Sequence, residues 1–201
     1  MNLIQQLKSA WYLKRLTRPE FKDMFTPPEP NSWVAIDCEM TGLNSKKNHL
    51  LSIAAIHIDD TKIQSGSGLH LICCPPVMPE RDTIVIHGLR PKDVENGLSY
   101  EQMLNCLLPF IGNRPIVGYC PQLDLGFLNK LTKSYIGTAL PNQVIDIRDL
   151  YDRYSGNPTQ GISHQAQQLE AICKQLQLPE LAAHDAYNDA LMTAMVFLHL
   201  K

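Results

Sequence analysis

The chain has 201 residues, 44% hydrophobic and 19% charged, with 18 Lys and Arg against 20 Asp and Glu, for a formal net charge of −2. A chain of this size and balance buries roughly 70% of its unfolded surface in one domain without covalent staples, which excludes a disordered, collagen-like or coiled-coil protein. The near-zero charge excludes a global basic field that would draw the chain onto nucleic acid, so a polyanionic partner must be held by a local patch or by bound metal.

In chain order, residues 1–32 read as an extension. Leu3, Ile4, Leu7 and Trp11 recur at helical spacing among Lys8, Lys14, Arg15 and Arg18, and the first 18 residues contain no acid. A targeting peptide shares that composition; the reading adopted is a basic amphipathic helix packed on the domain. Pro27, Pro28 and Pro30 then form a short stiff linker. The domain proper spans residues 33–201. Trp33–Glu39 is an apolar run ending in acids, a buried strand with a polar tip. Leu50–Ile58 and Ile63–Cys74 are β-rich runs separated by Asp59-Asp60 and are predicted to lie antiparallel beside the first strand. Ser99–Ile111 is a predicted helix capped by Ser99, Pro115–Gly118 a short strand, Leu123–Leu131 a helix, and Val144-Ile145 a short strand. Helices follow at Ile147–Tyr154 and Ser163–Leu176, and a last one runs from near Asp185 to the C-terminus. Three β-rich runs followed by alternating helix and strand predict a mixed α/β sheet flanked by helices. The longest strongly apolar stretch, Ala190–Leu200, falls short of the about 20 residues of a membrane helix. Six cysteines without a C-x-x-C pair read as reduced thiols, and a cytoplasmic location with no membrane partner is expected.

The chemistry concentrates in three segments. In Ile36-Asp37-Cys38-Glu39-Met40-Thr41-Gly42-Leu43, Asp37 and Glu39 stand two apart on a strand and face the same side, roughly 7 Å apart. Two carboxylates so placed repel unless a cation lies between them; the alternative is a solvated strand end, against which the apolar lead-in Val34-Ala35-Ile36 argues. Asp124 falls in the first turn of a helix just after a short strand, where stabilising the helix dipole would be role enough. In His184-Asp185-Ala186-Tyr187-Asn188-Asp189, His184 and Asp189 would lie about 140° apart on one helix, so His184 is placed on the entering loop. Asp185 suits the N-cap, and spacing alone leaves open whether Asp185 or Asp189 faces the site.

Together, D-x-E, V-G-x-x-x-x-x-D and H-x-x-x-x-D, with Ile86-His87-Gly88-Leu89 between the first two, resemble the DEDDh branch of 3′–5′ exonucleases, the group of the bacterial proofreading subunit and its stand-alone relatives. The resemblance runs from about Trp33 to the C-terminus. It implies a ribonuclease H-like fold with a mixed five-stranded sheet. It also implies that Asp37, Glu39, Asp124 and Asp189 are metal ligands and His184 is the general base, and so selects Asp189 over Asp185. Where many members carry His-Asn and a Phe around the second motif, this chain has Tyr119, Cys120 and Leu123, which alters contacts to the terminal nucleotide. Glu39-Met40-Thr41-Gly42-Leu43 is also similar to the oligoribonuclease branch, ranked second because that branch lacks the I-H-G segment. The sequence stops with its last helix, so polymerase association is not expected.

The implied chemistry is hydrolysis of the 3′-terminal phosphodiester of a single strand, DNA in preference to RNA, releasing a nucleoside 5′-monophosphate. Two Mg²⁺ or Mn²⁺ ions about 3.5–4 Å apart would activate water and neutralise the phosphoryl oxygens. Their charge would balance the four carboxylates, so metal rather than a basic surface would attract the polyanion. An imidazole titrates near 6.5 and can take the water's proton at neutral pH. By resemblance, Met40, Thr41, Gly42 and Leu43 hold the terminal nucleotide, with Thr41 offering a hydroxyl and Leu43 wedging a base. The plainer reading of these residues is a turn followed by a core leucine. His87 is a further candidate for nucleotide contact. Arg81, Arg90, Lys92, Arg114, Lys130 and Lys133 could mark a strand path but read as scattered surface charge. The competing functions are RNA 3′-end trimming or oligoribonuclease activity, a non-catalytic nucleic-acid-binding module, and a hydrolase of small nucleotides.

Overall fold

The computed structural model describes residues 9–156 and 169–201. The predicted helical residues Leu3, Ile4 and Leu7, residues 163–168 of a predicted helix, and the Arg81 side chain lie outside what is described. Among the described residues, six strands form one sheet: β1 (Ser32–Met40), β2 (Leu50–Asp59), β3 (Lys62–Ile63), β4 (Leu69–Ile72), β5 (Ile116–Gly118) and β6 (Val144–Asp146). The order is β3-β2-β1-β5-β6, with β4 also paired to β2. β2 runs antiparallel to β1, whereas β5 and β6 are parallel to it. The sheet has six strands rather than the expected five because the run from Ile63 to Cys74 breaks in two at the 3-10 turn Ser65–Ser67. Both pieces still pair with β2, at Ile58–Asp59 and at Ser52–Ala55.

The helices are α1 (Arg81–His87), α2 (Pro91–Val94), α3 (Tyr100–Ile111), α4 (Gln122–Ile136), α5 (Ile147–Ser155), α6 (Leu169–Gln175) and α7 (Ala186–Leu200). Ser99 caps α3 by accepting from the Gln102 amide at 3.2 Å, and Gln102 reciprocates to the Ser99 amide. The short helices α1 and α2 carry no long apolar period and were not foreseen. α1 ends where Gly88 takes a left-handed conformation, φ +71°, that glycine adopts without penalty.

β1 decides where the site lies. It is buried on both faces, and successive side chains alternate. Val34, Ile36 and Cys38 pack with Leu104 and Leu108 of α3 and Leu125 and Leu128 of α4. Ala35 packs on the other face, with Ile147 of α5, Ile172 of α6, and Met192 and Phe197 of α7. The same alternation turns Asp37 and Glu39 toward α7. A register shift between Glu39 and Met40 bends the strand at that tip. At the opposite end of the strand, the 3-10 segment Pro19–Phe25 buries Phe21, Met24 and Phe25 in the α3/α4 core. Among the described residues no helix is long and apolar enough to cross a membrane.

Candidate metal centre and active site

A cavity of about 670 Å³ opens at the carboxyl end of β1, as expected for an open α/β sheet. Asp37, Glu39, Met40, Leu43, Asp124, His184 and Asp189 all line it, so seven sequence candidates from three distant segments converge. Thr41, Gly42 and His87 do not line it. Oxygens of Asp37, Glu39 and Asp189 lie within 4.8 Å of one another. Hard carboxylate donors at that spacing fit a divalent cation such as Mg²⁺ or Mn²⁺.

Asp124 approaches from the other face of β1. The Val34 amide donates to Pro115 O at 3.0 Å, so by the strand period the Cys38 amide points to the same edge. β5 has ended by then, and the chain turns at Cys120, whose φ is +51°. Asp124, in the first turn of α4, takes hydrogen bonds from the Cys38 amide and thiol instead. Gly118 permits this tight turn, because a Cβ there would lie 2.7 Å from Pro121 Cβ. Asp146 ties the turn to β6: its Oδ1 accepts from the Cys120 amide at 3.4 Å while its carboxylate pairs with Arg148 at 2.8 Å.

The third segment resolves the choice that spacing left open. Asp185 Oδ1 caps α7 through the Tyr187 and Asn188 amides at 3.1 and 3.0 Å. Asp189 faces the cavity. His184 sits on the entering loop at φ +59°, and its amide donates to Asp189 Oδ2 at 3.1 Å. The left-handed turn brings together two residues that a continuous helix would have set apart. The His184 side chain is exposed at the cavity rim.

Electrostatics mark this as a site built for positive charge. Burial first, then Asp124, Asp189, Glu39 and Asp185, holds the Asp37 carboxyl well above its ordinary range. Burial and the charges of Asp189 and Asp185 push Glu39 up to about 7. Asp124, 4% exposed, is pushed up to about 8 by burial, although its hydrogen bonds from Cys38 act against that. Burial also raises Asp189 to about 6, with the His184 amide and imidazole opposing it. A divalent cation relieves all of these at once.

The nucleotide-contact candidates divide. Leu43 is 78% exposed at the cavity mouth, which corrects its reading as a core residue. Thr41 is engaged within its loop, its hydroxyl accepting from the His49 amide at 3.0 Å. Gly42 adopts φ +149°, and a Cβ there would lie 2.8 Å from Asn48 Nδ2. His87 ends α1 rather than lying in a loop; its Nδ1 accepts from the Leu89 amide at 3.1 Å, and its Nε2 is buried with no hydrogen-bond partner among the described residues. Burial lowers its basicity, so the neutral ring presents Nε2–H as a donor. Cys38, Leu169 and Glu170 also line the cavity. Nothing in their spacing singles them out; Glu170 looks like any acid in a first helical turn.

The exonuclease family model matches residues 34–197, from β1 through α7. The chain belongs to the exonuclease family. This exonuclease domain is 28% identical over 170 residues to the PolC-type DNA polymerase III of Thermotoga petrophila, covering 85% of the chain and 12% of that polymerase. It is 25% identical over 169 residues to the DNA polymerase III subunit epsilon of Aquifex aeolicus, covering 84% of the chain and 80% of that subunit. The zinc-bound E. coli ExoI–ssDNA complex shares its fold with a TM-score of 0.70 at 18% identity, over 86% of this chain and 40% of that one. The exonuclease domain thus spans about an eighth of the PolC-type relative and two fifths of ExoI.

Proposed function

We propose that this exonuclease domain removes nucleotides from the 3′ end of single-stranded DNA as nucleoside 5′-monophosphates. The observation that carries the reading is the convergence of Asp37, Glu39 and Asp189 within 4.8 Å, with Asp124 and His184 in the same cavity. The likeness to ExoI supports a single-stranded DNA substrate, since that structure is a complex with single-stranded DNA.

Asp37, Glu39 and Asp189 would hold one divalent cation, and Asp124, in the same cavity, would contribute to a second. When bound, Mg²⁺ or Mn²⁺ supplies Lewis-acid activation of water and neutralises the phosphoryl oxygens. His184, exposed at the rim, would take the proton of the attacking water. Asp189 fixes the loop that carries it through the 3.1 Å bond to its amide. Leu43 and Met40, which line the cavity, pack on the terminal base and sugar, and Thr41 and Gly42 shape the turn that presents them. The same cavity acting on short RNA is the second reading, favoured by Glu39-Met40-Thr41-Gly42-Leu43.

A 5′-labelled 12-nucleotide strand, offered as DNA and as RNA with Mg²⁺, Mn²⁺ or EDTA, tests the reading. Stepwise metal-dependent shortening of DNA from the 3′ end is expected. Preference for di- to pentaribonucleotides would transfer the assignment to RNA. Binding without cleavage in either metal would refute an enzymatic role.

A further inference from the structure

The rim of the cavity is electrically lopsided. On one side lie the loop of residues 41–49 and α4, which carry Lys46, Lys47, Lys130 and Lys133; the only acid in these two segments, Asp124, is buried in the site. All four lysines are exposed. On the other side, Glu170 of α6 lines the cavity and Asp185 lies close enough to raise both Asp37 and Glu39. A polyanion whose end is held at the carboxylates meets attraction on the first side and repulsion on the second.

The basic side is also preorganised. Lys130 Nζ donates to Ser45 O at 2.8 Å, fastening the loop to α4 while keeping its charge and further N–H groups for a ligand. Asn44 and Asn48 lock the loop from within: Asn48 Oδ1 accepts from the Asn44 amide at 3.1 Å, and Asn48 Nδ2 donates to Thr41 O at 3.3 Å. Lys130 and Lys133, three apart on α4, fall on neighbouring positions about 4.5 Å apart along the helix axis. His49 stands in the same patch, since Lys130, after burial, lowers its basicity. Leu43, exposed at the cavity mouth, is the first residue of this surface that a strand leaving the site would cross.

We propose that the upstream part of a single strand leaves the cavity over Leu43 and across the 41–49 loop and α4, its phosphates held by Lys46, Lys47, Lys130 and Lys133. This deepens the proposed function and rests on it for the direction of the strand. The surface reads backbone charge and is indifferent to base sequence, so a protein with net charge −2 gains a local binding track without a basic whole.

The test is equilibrium binding of a 5′-fluorescein-labelled dT12 in Ca²⁺, followed by anisotropy from 50 to 300 mM salt. It compares the unsubstituted protein with the Lys46→Ala/Lys47→Ala/Lys133→Ala variant, which leaves the Lys130 clamp intact. A second triple variant, Lys62→Ala/Lys174→Ala/Lys201→Ala, removes equal charge outside the two segments. The loop and α4 variant should bind dT12 at least tenfold more weakly at the lowest salt. Its slope of log affinity against log salt should shrink by about 2, at about 0.7 per lost phosphate contact on a single strand. In Mn²⁺, its ratio of dT12 to dT2 hydrolysis efficiency should fall at least tenfold. An unchanged slope, an equal loss in the second variant, or an equal loss on dT2 would overturn the path. If the unsubstituted protein shortens DNA while any of these occurs, only the path falls; if it neither binds nor shortens DNA, the nuclease reading falls with it.

Discussion

Replacing Glu39 by Gln tests the crowding of carboxylates directly. Glu39 is 9% exposed, and its carboxyl is pushed from 4.5 to about 7 by burial, then by Asp189 and Asp185. That displacement corresponds to about 3 kcal/mol borne by the ionised form at pH 8. The native carboxyl keeps its proton more tightly than the unfolded chain does. The stability tied to it is therefore fully present below about pH 4.5 and is lost as the pH rises through about 7. Without metal, Glu39→Gln should therefore melt higher than the parent at pH 8 and show no gain at pH 4. At roughly 2–4 °C per kcal/mol for a chain of this size, and allowing for the residual cost of burying an amide, about 5 °C or more is expected at pH 8. Mn²⁺ at a hundred times its Kd should stabilise the parent by about 2.7 kcal/mol, closing most of the gap, and should leave the variant almost unmoved. Scanning calorimetry at pH 4, 6 and 8, in EDTA and in Mn²⁺, reads both effects. A variant that melts lower than the parent in EDTA at pH 8 would show that Glu39 is not crowded, and one that gains as much from Mn²⁺ would show that it is not a ligand.

Three further outcomes are expected. His184→Ala should slow hydrolysis by about 10²–10⁴-fold, the usual share of a general base, while Mn²⁺-dependent strand binding persists; turnover near the parent's would remove His184 from its assigned role. Cys38→Val removes the thiol that donates to Asp124, and Mn²⁺ affinity by isothermal titration should fall about 10- to 100-fold, with Cys38→Ser recovering most of it. Leu43→Ala should leave the melting temperature within about 1 °C, since the side chain is 78% exposed, yet raise KM for a single strand several-fold. A drop in stability with KM unchanged would mean that Leu43 packs on the protein and not on a base.

The site acids were legible because each stands in a short pattern with its own punctuation. The apolar lead-in to Asp37-Cys38-Glu39 places a strand tip, Gly118 and Pro121 mark the turn before Asp124, and Asp185 announces the start of α7. The short helices α1 and α2 were not legible, because four to seven residues give too little periodicity to separate helix from loop. The split of one β-rich run into β3 and β4 was equally hidden, since both pieces keep strand composition and pair with the same neighbour. Leu43 was open to opposite readings for a related reason: an apolar residue after a Gly turn looks the same whether it faces the core or a cavity mouth.

The sequence by itself determined that the chain is an exonuclease domain and singled out the acids that the fold gathers in one cavity, because residue type and spacing are local properties. The tertiary structure decided how they meet. The period of β1 sends Asp37 and Glu39 to one face, and Asp124 reaches them from the other only because β5 ends early and frees the Cys38 amide. A left-handed turn at His184 brings its amide to Asp189. The charge asymmetry of the rim likewise belongs to the fold, since it arises from a loop and a helix that lie some 80 residues apart in the chain and are joined by one lysine.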